Sequence, residues 1–432
     1  MKQQIITKLS ALTAITFISL TSFAAGKIFL KEGKWRGEFK LNEKILPFNF
    51  EVNGNSPENA TFTLVNGTRQ DNFKVQVIEG DSIFIKMNTY DAALVGKLED
   101  DGRFIGVYKS LVPNFRGANL PFVAEYGKNY RFTENAATAE QPIADLSGKW
   151  NVKIISKDPN NANSVALLKQ TGSKLTGVLM TVVGDTRELE GNVVGNKFYL
   201  SNFTGPSPFL ISGEIGEDKK TITSGEYNIG IYFSQKFEAT KDEHIELPDP
   251  YKLTFLKEGY SKLNFTFPDL NGNPVSINDA KYRGKVTIVE IIGTWCPNCT
   301  DQTRFLAPWF HNNKQRGVEA IAIGFEQKDD LEYAKYTLGK LKDFYKIEYD
   351  LVFGGIADKK VATEKLEGLN RMAAFPTTII IDRAGRVREI YTGYTGEITG
   401  EYYKDYVKKF NKVLDQLIAE PNPYENTSVT KN

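Results

Sequence analysis

The alternation of apolar and polar positions divides this chain into two regimes. From residue 31 to 132 short runs repeat with a period of two, as in Ala60–Val65, Phe73–Ile78, Ser82–Met87 and Phe104–Tyr108. Asn-Gly, Glu-Gly-Asp and Asp-Asp-Gly turns separate them, the pattern of consecutive antiparallel strands. Residues 146–240 return to the same rhythm and to the same local words. Gly33-Lys34-Trp35 recurs as Gly148-Lys149-Trp150, and Val65-Asn66-Gly67-Thr68-Arg69 as Val183-Gly184-Asp185-Thr186-Arg187. Asp81-Ser82-Ile83-Phe84-Ile85 has its counterpart in Asn196-Lys197-Phe198-Tyr199-Leu200. The order is kept and the spacing drifts only as loop insertions would make it drift. A unit of about a hundred residues is therefore duplicated, too long a period for a solenoid. Many short strands at this spacing predict an antiparallel all-β barrel or sandwich for each repeat, over 26–132 and 146–240.

Residues 133–145, rich in Ala, Thr, Glu and Gln, read as the linker between the repeats, and Lys241–Pro250 as the exit from the second. From 251 to 420 strand and helix periods alternate. Leu263–Phe267 and Asn273–Ile277 form a hairpin, and Val286–Ile292 is a near-continuous apolar strand of the kind covered on both faces. A helix over Thr300–Lys314 follows, then strand 318–325, helix 329–345, strand 349–353 and helix 357–366. A strand opened by Phe375-Pro376-Thr377-Thr378 and running to Asp382, a strand 387–391 and a closing helix over 401–418 complete an α/β domain. Residues 421–432 read as a disordered tail.

A chain of 432 residues exceeds one hydrophobic core, in keeping with several domains. The hydrophobic fraction of 41% fits globular structure, and a net charge of +1 gives no reason to expect nucleic acid as a partner. The N-terminus changes the picture. Lys2 and Lys8 precede an apolar stretch from Leu9 to Phe23, and Ser22-Phe23-Ala24 offers a small-x-small cleavage site. That is the layout of a secretory signal peptide over residues 1–25. The apolar run is about 15 residues against the ~20 that span a bilayer, so export to a periplasm as a soluble protein is expected.

The only two cysteines stand two residues apart, in Trp295-Cys296-Pro297-Asn298-Cys299. A strand leads into them and a helix follows, the context in which C-x-x-C reads as a thioredoxin-like redox pair. A thiol at a helix N-terminus meets unpaired N–H groups and the positive end of the helix dipole, which favour the thiolate. Cys296 is then the exposed attacking thiol and Cys299 the buried resolving one, with no cofactor beyond their disulfide. A structural zinc site would need about four ligands. The two histidines, His244 and His311, are not at ligand spacing, so no metal is expected. Glu290 lies inside the apolar strand Ile288-Val289-Glu290-Ile291-Ile292. A carboxylate there must be neutral or paired, so burial should raise its pKa. It then serves either as acceptor of the Cys299 proton or as a structural acid paired with a lysine such as Lys285.

Phe265, Pro268-Asp269-Leu270-Asn271-Gly272, Gly284-Lys285-Val286, Thr294 to Cys299, Phe375-Pro376-Thr377-Thr378 and Ile381-Asp382-Arg383-Ala384-Gly385-Arg386 occur in that order. Over about 260–420 this set resembles the TlpA/ResA-like thiol-disulfide oxidoreductases, in the AhpC/TSA-like branch of the thioredoxin superfamily. The resemblance implies Cys296 as nucleophile, Cys299 as resolving thiol and Glu290 as the acid beneath them. It implies Pro376 as a cis-proline beside the dithiol, with Trp295, Pro297, Phe375 and Pro376 contacting substrate. It further implies disulfide-bearing client proteins such as apocytochrome c, and a membrane thiol transporter as electron donor. The helix proline departs from the family pattern: Pro308 stands about a turn later than usual. Gly-x-Trp at the start of each β-repeat is similar to the opening of lipocalins, where the Trp plugs one barrel end, so Trp35 and Trp150 are expected in the core.

Peroxiredoxins share the fold plan but need a Pro and a Thr or Ser ahead of the cysteine, and Glu290–Trp295 holds no proline. A copper chaperone needs a third ligand that His311 is not placed to supply. The β-repeats could instead make the chain chiefly a binding module, with redox chemistry secondary. An oxidase or isomerase also remains open from the residues alone. The absence of any basic residue between the cysteines, together with Glu290, argues for a reductant.

Overall fold

Strand alternation in the first repeat produces eight strands, from Gly33–Leu41 to Leu120–Tyr126, each antiparallel to its neighbour. The first pairs with the second (Phe39↔Leu46) and with the last (Phe39↔Phe122), which closes the sheet into a barrel rather than a sandwich. The computed structural model describes residues 29–78, 82–112, 119–135, 137–155, 163–231 and 233–425. The expected signal peptide, the Glu79-Gly80-Asp81 turn and the tail from 426 onward lie outside the described residues. Every second side chain of the first barrel points inward. Phe39, Phe48, Phe50, Phe62, Phe104 and Phe122 fill the interior and stack on one another, with Phe50 and Phe62 centroids 4.3 Å apart.

The second repeat builds the same object. Its strands run from Gly148–Ile154 to Phe233–Lys241, and Asn163–Thr171 pairs with both Gly148–Ile154 and Lys174–Thr181 to close the ring. The two-residue strand Gly184–Asp185 hangs on its edge. Trp35 and Trp150 are both buried, and each indole donates to the carbonyl four residues earlier, Lys31 at 2.9 Å and Leu146 at 2.8 Å. The second interior keeps a cavity of about 30 Å³, bounded by Trp150, Phe198 and Phe237 among others. Buried side chains form the core of both barrels.

The two barrels are packed together. Phe203 of the second inserts into the core of the first, 5.0 Å from Phe39 and 5.2 Å from Tyr108 between ring centroids. The Asn66 side chain donates to the Phe203 carbonyl at 2.8 Å and accepts its N–H at 3.1 Å. The Glu188 carboxylate accepts the N–H groups of Thr68 (2.7 Å) and Arg69 (3.2 Å). The connecting stretch lies along the second barrel, with the Ile143 N–H bonded to the Gly195 carbonyl at 3.1 Å.

The third domain is a five-stranded sheet in the order 350–356, 318–326, 286–292, 377–381, 387–392. The first three strands are parallel and the last two antiparallel. Helices α1 (Pro297–Asn313), α2 (Leu331–Tyr345), α3 (Lys359–Lys365) and α4 (Glu401–Ala419) accompany it. α1 begins at Pro297, earlier than the Thr300 expected from apolar spacing. A proline has no N–H to lose in the first turn, and its φ suits that position. The expected hairpin shrinks to Thr266–Pro268 paired with Pro274–Ser276. The expectation of disorder from 421 is corrected for 421–425, where Asn422 accepts the Tyr424 N–H at 3.1 Å and sits over Gly284. No described helix is long and apolar enough to cross a membrane.

Candidate active site

Strand Val286–Ile292 is buried along its whole length and delivers the chain to a loop at its C-terminal end. There Gly293 leaves space that a side chain would take: an added Cβ would lie 2.3 Å from Trp295 Nε1. That indole donates to the Phe325 carbonyl at 2.9 Å, while Thr294 donates its N–H and hydroxyl to Glu326 at 3.0 and 2.6 Å. The loop is thus held from the neighbouring strand before Cys296 caps α1 in extended conformation, with φ −93° and ψ 120°.

Both thiols are free. The Cys296 thiol lies 3.5 Å from the Phe375 carbonyl, and the Phe375–Pro376 peptide is cis. A hydrogen bond from Cys299 holds the Cys296 pKa below the usual thiol range. The N–H groups of Cys299 and Asn298 and the charge of Arg187 act in the same sense, against burial. Burial pushes Cys299 well up, assisted by its bond to Cys296 and by Glu290. The two thiols are therefore unlike in acidity, as a nucleophile and a resolving thiol should be.

One expectation needs correction. Cys296 is 7% exposed, not the open thiol expected at a helix start. Trp295 and Phe375 stand over it, edge to face at 5.8 Å, and both barrels lie against the first turn of α1. Trp295 and Pro297 line a cleft of about 390 Å³, together with Gln327 and Tyr333 of the same domain and Tyr90, Tyr108, Phe209 and Phe233 of the barrels.

Glu290 is completely buried, and burial raises its pKa to about 8. Its Oε2 accepts the Tyr349 hydroxyl at 3.0 Å, and its Oε1 has no partner among the described residues. Tyr349, and not Lys285, is the group that holds it. Glu326 at the end of strand 318–326 is a second buried acid, raised by burial to about 7.

Sequence reasoning missed Glu326 and, more consequentially, a cluster supplied by the barrels. Arg187 of the second barrel donates to Asp301 (2.7 Å), to Thr204 (2.9 Å) and to the Pro297 carbonyl (2.9 Å). It also reaches the hydroxyls of Tyr90 (3.0 Å) and Thr300 (3.1 Å). Arg69 of the first barrel meets the same Asp301 at 3.1 Å. These arginines are the last residues of the recurring five-residue word, the one signal in the chain that could have singled them out. No basic residue lies between the cysteines, as expected, but Arg187 brings a cation to the Pro297 carbonyl from another domain. Among the described residues no group of three or more His, Cys, Asp or Glu is placed to hold a metal, and His311 pairs with Glu348 at 3.0 Å.

The AhpC/TSA family matches residues 259–390. The thiol-disulfide oxidoreductase ResA of Bacillus thuringiensis subsp. konkukian (strain 97-27) is 30% identical over 171 residues, covering 39% of this chain and 82% of that protein. The ResA of Bacillus subtilis (strain 168) is 26% identical over 153 residues, 35% of this chain and 77% of that protein. A thiol:disulfide interchange protein of the thioredoxin family from Chlorobium tepidum TLS has a solved structure 18% identical, with a TM-score of 0.28, covering 38% of this chain and 98% of that one.

Proposed function

This chain belongs to the TlpA/ResA-like thiol-disulfide oxidoreductases, and on that premise we propose that it reduces disulfides of client polypeptides in the periplasm through Cys296 and Cys299. Its family chemistry runs on a cysteine pair without an external cofactor. The Cys296 thiolate attacks one sulfur of the client disulfide, and the other sulfur leaves with the electron pair and takes a proton. Cys299 then loses its proton to the Glu290 carboxylate and attacks the Cys296 sulfur. The client thiolate is expelled, and a Cys296–Cys299 disulfide remains. Two electrons pass to the client, and a dithiol donor, here a membrane thiol transporter, must return them. Apocytochrome c is the client class that the family resemblance suggests.

The observation that carries this reading is the asymmetry of the pair. Cys296 is lowered by its bond from Cys299 and by the N–H groups of the α1 terminus, whereas Cys299 is raised by burial. The cleft beside Trp295 and Pro297 supports a polypeptide client, since its walls are mostly apolar and it runs past the two residues that flank Cys296. One observation favours a second reading. A cation at the Pro297 carbonyl stabilises a thiolate and so raises the potential, the direction of an oxidase or isomerase. Incubating Cys299→Ser and Cys296→Ser with a disulfide-bearing polypeptide tests the assignment. The first should accumulate a mixed disulfide and the second none, and a covalent adduct on Cys299 instead would reverse the roles.

A further inference from the structure

The second barrel touches the dithiol motif at its two intervening residues. Asn298 lies against Gly184, whose φ is +149°: a Cβ there would fall 2.0 Å from the Asn298 amide nitrogen. Pro297 offers its carbonyl to Arg187 at 2.9 Å. Between them Asp185 accepts the Arg187 N–H at 2.6 Å and the Gly396 N–H at 2.7 Å, tying the same loop to the segment after the last strand. Arg187 is 4% exposed and adopts φ +62°, a left-handed conformation that a non-glycine residue rarely takes. Such an outlier is held only where its surroundings determine it, and here they do so beside the reactive thiols.

We propose that the Gly184–Arg187 loop of the second barrel is a collar for the dithiol, with Arg187 as its positioning residue, holding the first turn of α1 and keeping a positive charge beside Cys296. The proposal rests on Cys296 being the nucleophile, and it gives the barrels a part in the thiol chemistry in place of ligand capture. Two observations carry it independently of any titration. Every Arg187 side-chain nitrogen is engaged, in bonds that join first barrel, second barrel and α1 at one point. The duplicated arginine, Arg69, converges on the same carboxylate, so that Asp301 is gripped from both repeats. Arg69 is also paired with Asp71 at 2.8 Å, so two guanidiniums and two carboxylates balance, and it is the position of Arg187 at the Pro297 carbonyl that adds its charge to the helix dipole in favouring the thiolate. The other ionisable groups facing Arg187 are Tyr90, Asp71 and Asp185, with Tyr345 of α2 facing the same cluster. The lowered pKa of Cys296, due first to Cys299 and the α1 N–H groups, includes a contribution from Arg187.

The test uses the full-length reduced protein and iodoacetamide, with the modified cysteine located by mass spectrometry across a pH series. Arg187→Met should move the midpoint of Cys296 alkylation upward and slow it about three- to tenfold near pH 6, a one-unit shift being tenfold in thiolate. Arg187→Lys, which keeps the charge, should fall nearer the parent. Asp301→Asn removes the carboxylate paired with Arg187, while Arg69 keeps Asp71, and should move the midpoint downward. A loop that merely braces the helix would shift Arg187→Met and Asp301→Asn in the same direction, and that result overturns the proposal, as does an unmoved midpoint in both. Should Arg187→Met fail to fold, the downward shift in Asp301→Asn decides alone. Alkylation mapping first to Cys299 in the parent would instead overturn the nucleophile assignment.

Discussion

Glu290 shows how one buried group ties stability to catalysis. Its pKa rises from 4.5 to about 8 because the strand around it excludes water, so near neutral pH it is mostly protonated. In the proposed resolution step the carboxylate that would accept the Cys299 proton is then a minority form that grows as pH rises toward 8. Resolution of a mixed disulfide should therefore accelerate between pH 6 and 8, and Glu290→Gln should slow it and flatten that profile. Stopped-flow measurement of mixed-disulfide decay reads both, and equal rates for the two proteins would reduce Glu290 to a structural acid. Stability carries the opposite sign. Between about pH 4.5 and 8 the folded state binds more protons than the unfolded chain, so unfolding free energy falls as pH rises through that window. Glu326, raised to about 7, adds to the same loss. Glu290→Gln should remove part of it, on the order of a few kcal/mol by pH 8, in urea unfolding followed across pH. A wild-type slope retained in the variant would contradict this account of the burial. The acid, its burial and its raised pKa were legible from one charged residue in an apolar run. Its partner Tyr349 was not, because α1, a further strand and α2 separate the two residues along the chain.

At the scale of elements, legibility followed periodicity. Val286–Ile292 was readable to the residue because nothing polar but Thr287 and Glu290 interrupts it, and Gly284 and Gly293 bound it. The start of α1 was not, since Pro297 and Asn298 carry no apolar spacing and only the cap reveals them. Barrel and sandwich produce the same alternation, and the pairing of first strand with last that separates them is long-range. Nothing in the local sequence marks Phe203 as a residue that leaves its own barrel for the core of the other. It is completely buried among Phe39, Phe48 and Tyr108. Phe203→Ala should destabilise the full chain by about 3–5 kcal/mol, the usual cost of a large aromatic cavity. Equilibrium urea unfolding checks this, and a loss under about 1 kcal/mol would show that the barrels do not depend on the shared core.

The whole molecule joins two filled barrels to a redox domain at the turn that holds the dithiol. The domain order was readable from composition and repeats, whereas the convergence of Arg69 and Arg187 on Asp301 exists only in three dimensions. Two opposing influences then set the redox poise. Burial keeps Cys299 protonated and so withholds a second stabilised thiolate from the reduced pair, while the Arg187 charge and the α1 terminus favour the Cys296 thiolate. Asp301, paired with Arg187 at 2.7 Å, tempers that stabilisation, and a reductant is the expected outcome. Equilibrating the full-length protein with a dithiothreitol redox series, with the fraction of free Cys296–Cys299 dithiol as readout, tests this most directly. The account predicts a potential nearer the about −270 mV of thioredoxin than the about −120 mV of the strong oxidant DsbA. A value above about −180 mV, where disulfide isomerases lie, would contradict a reductant and leave an oxidase or isomerase in its place.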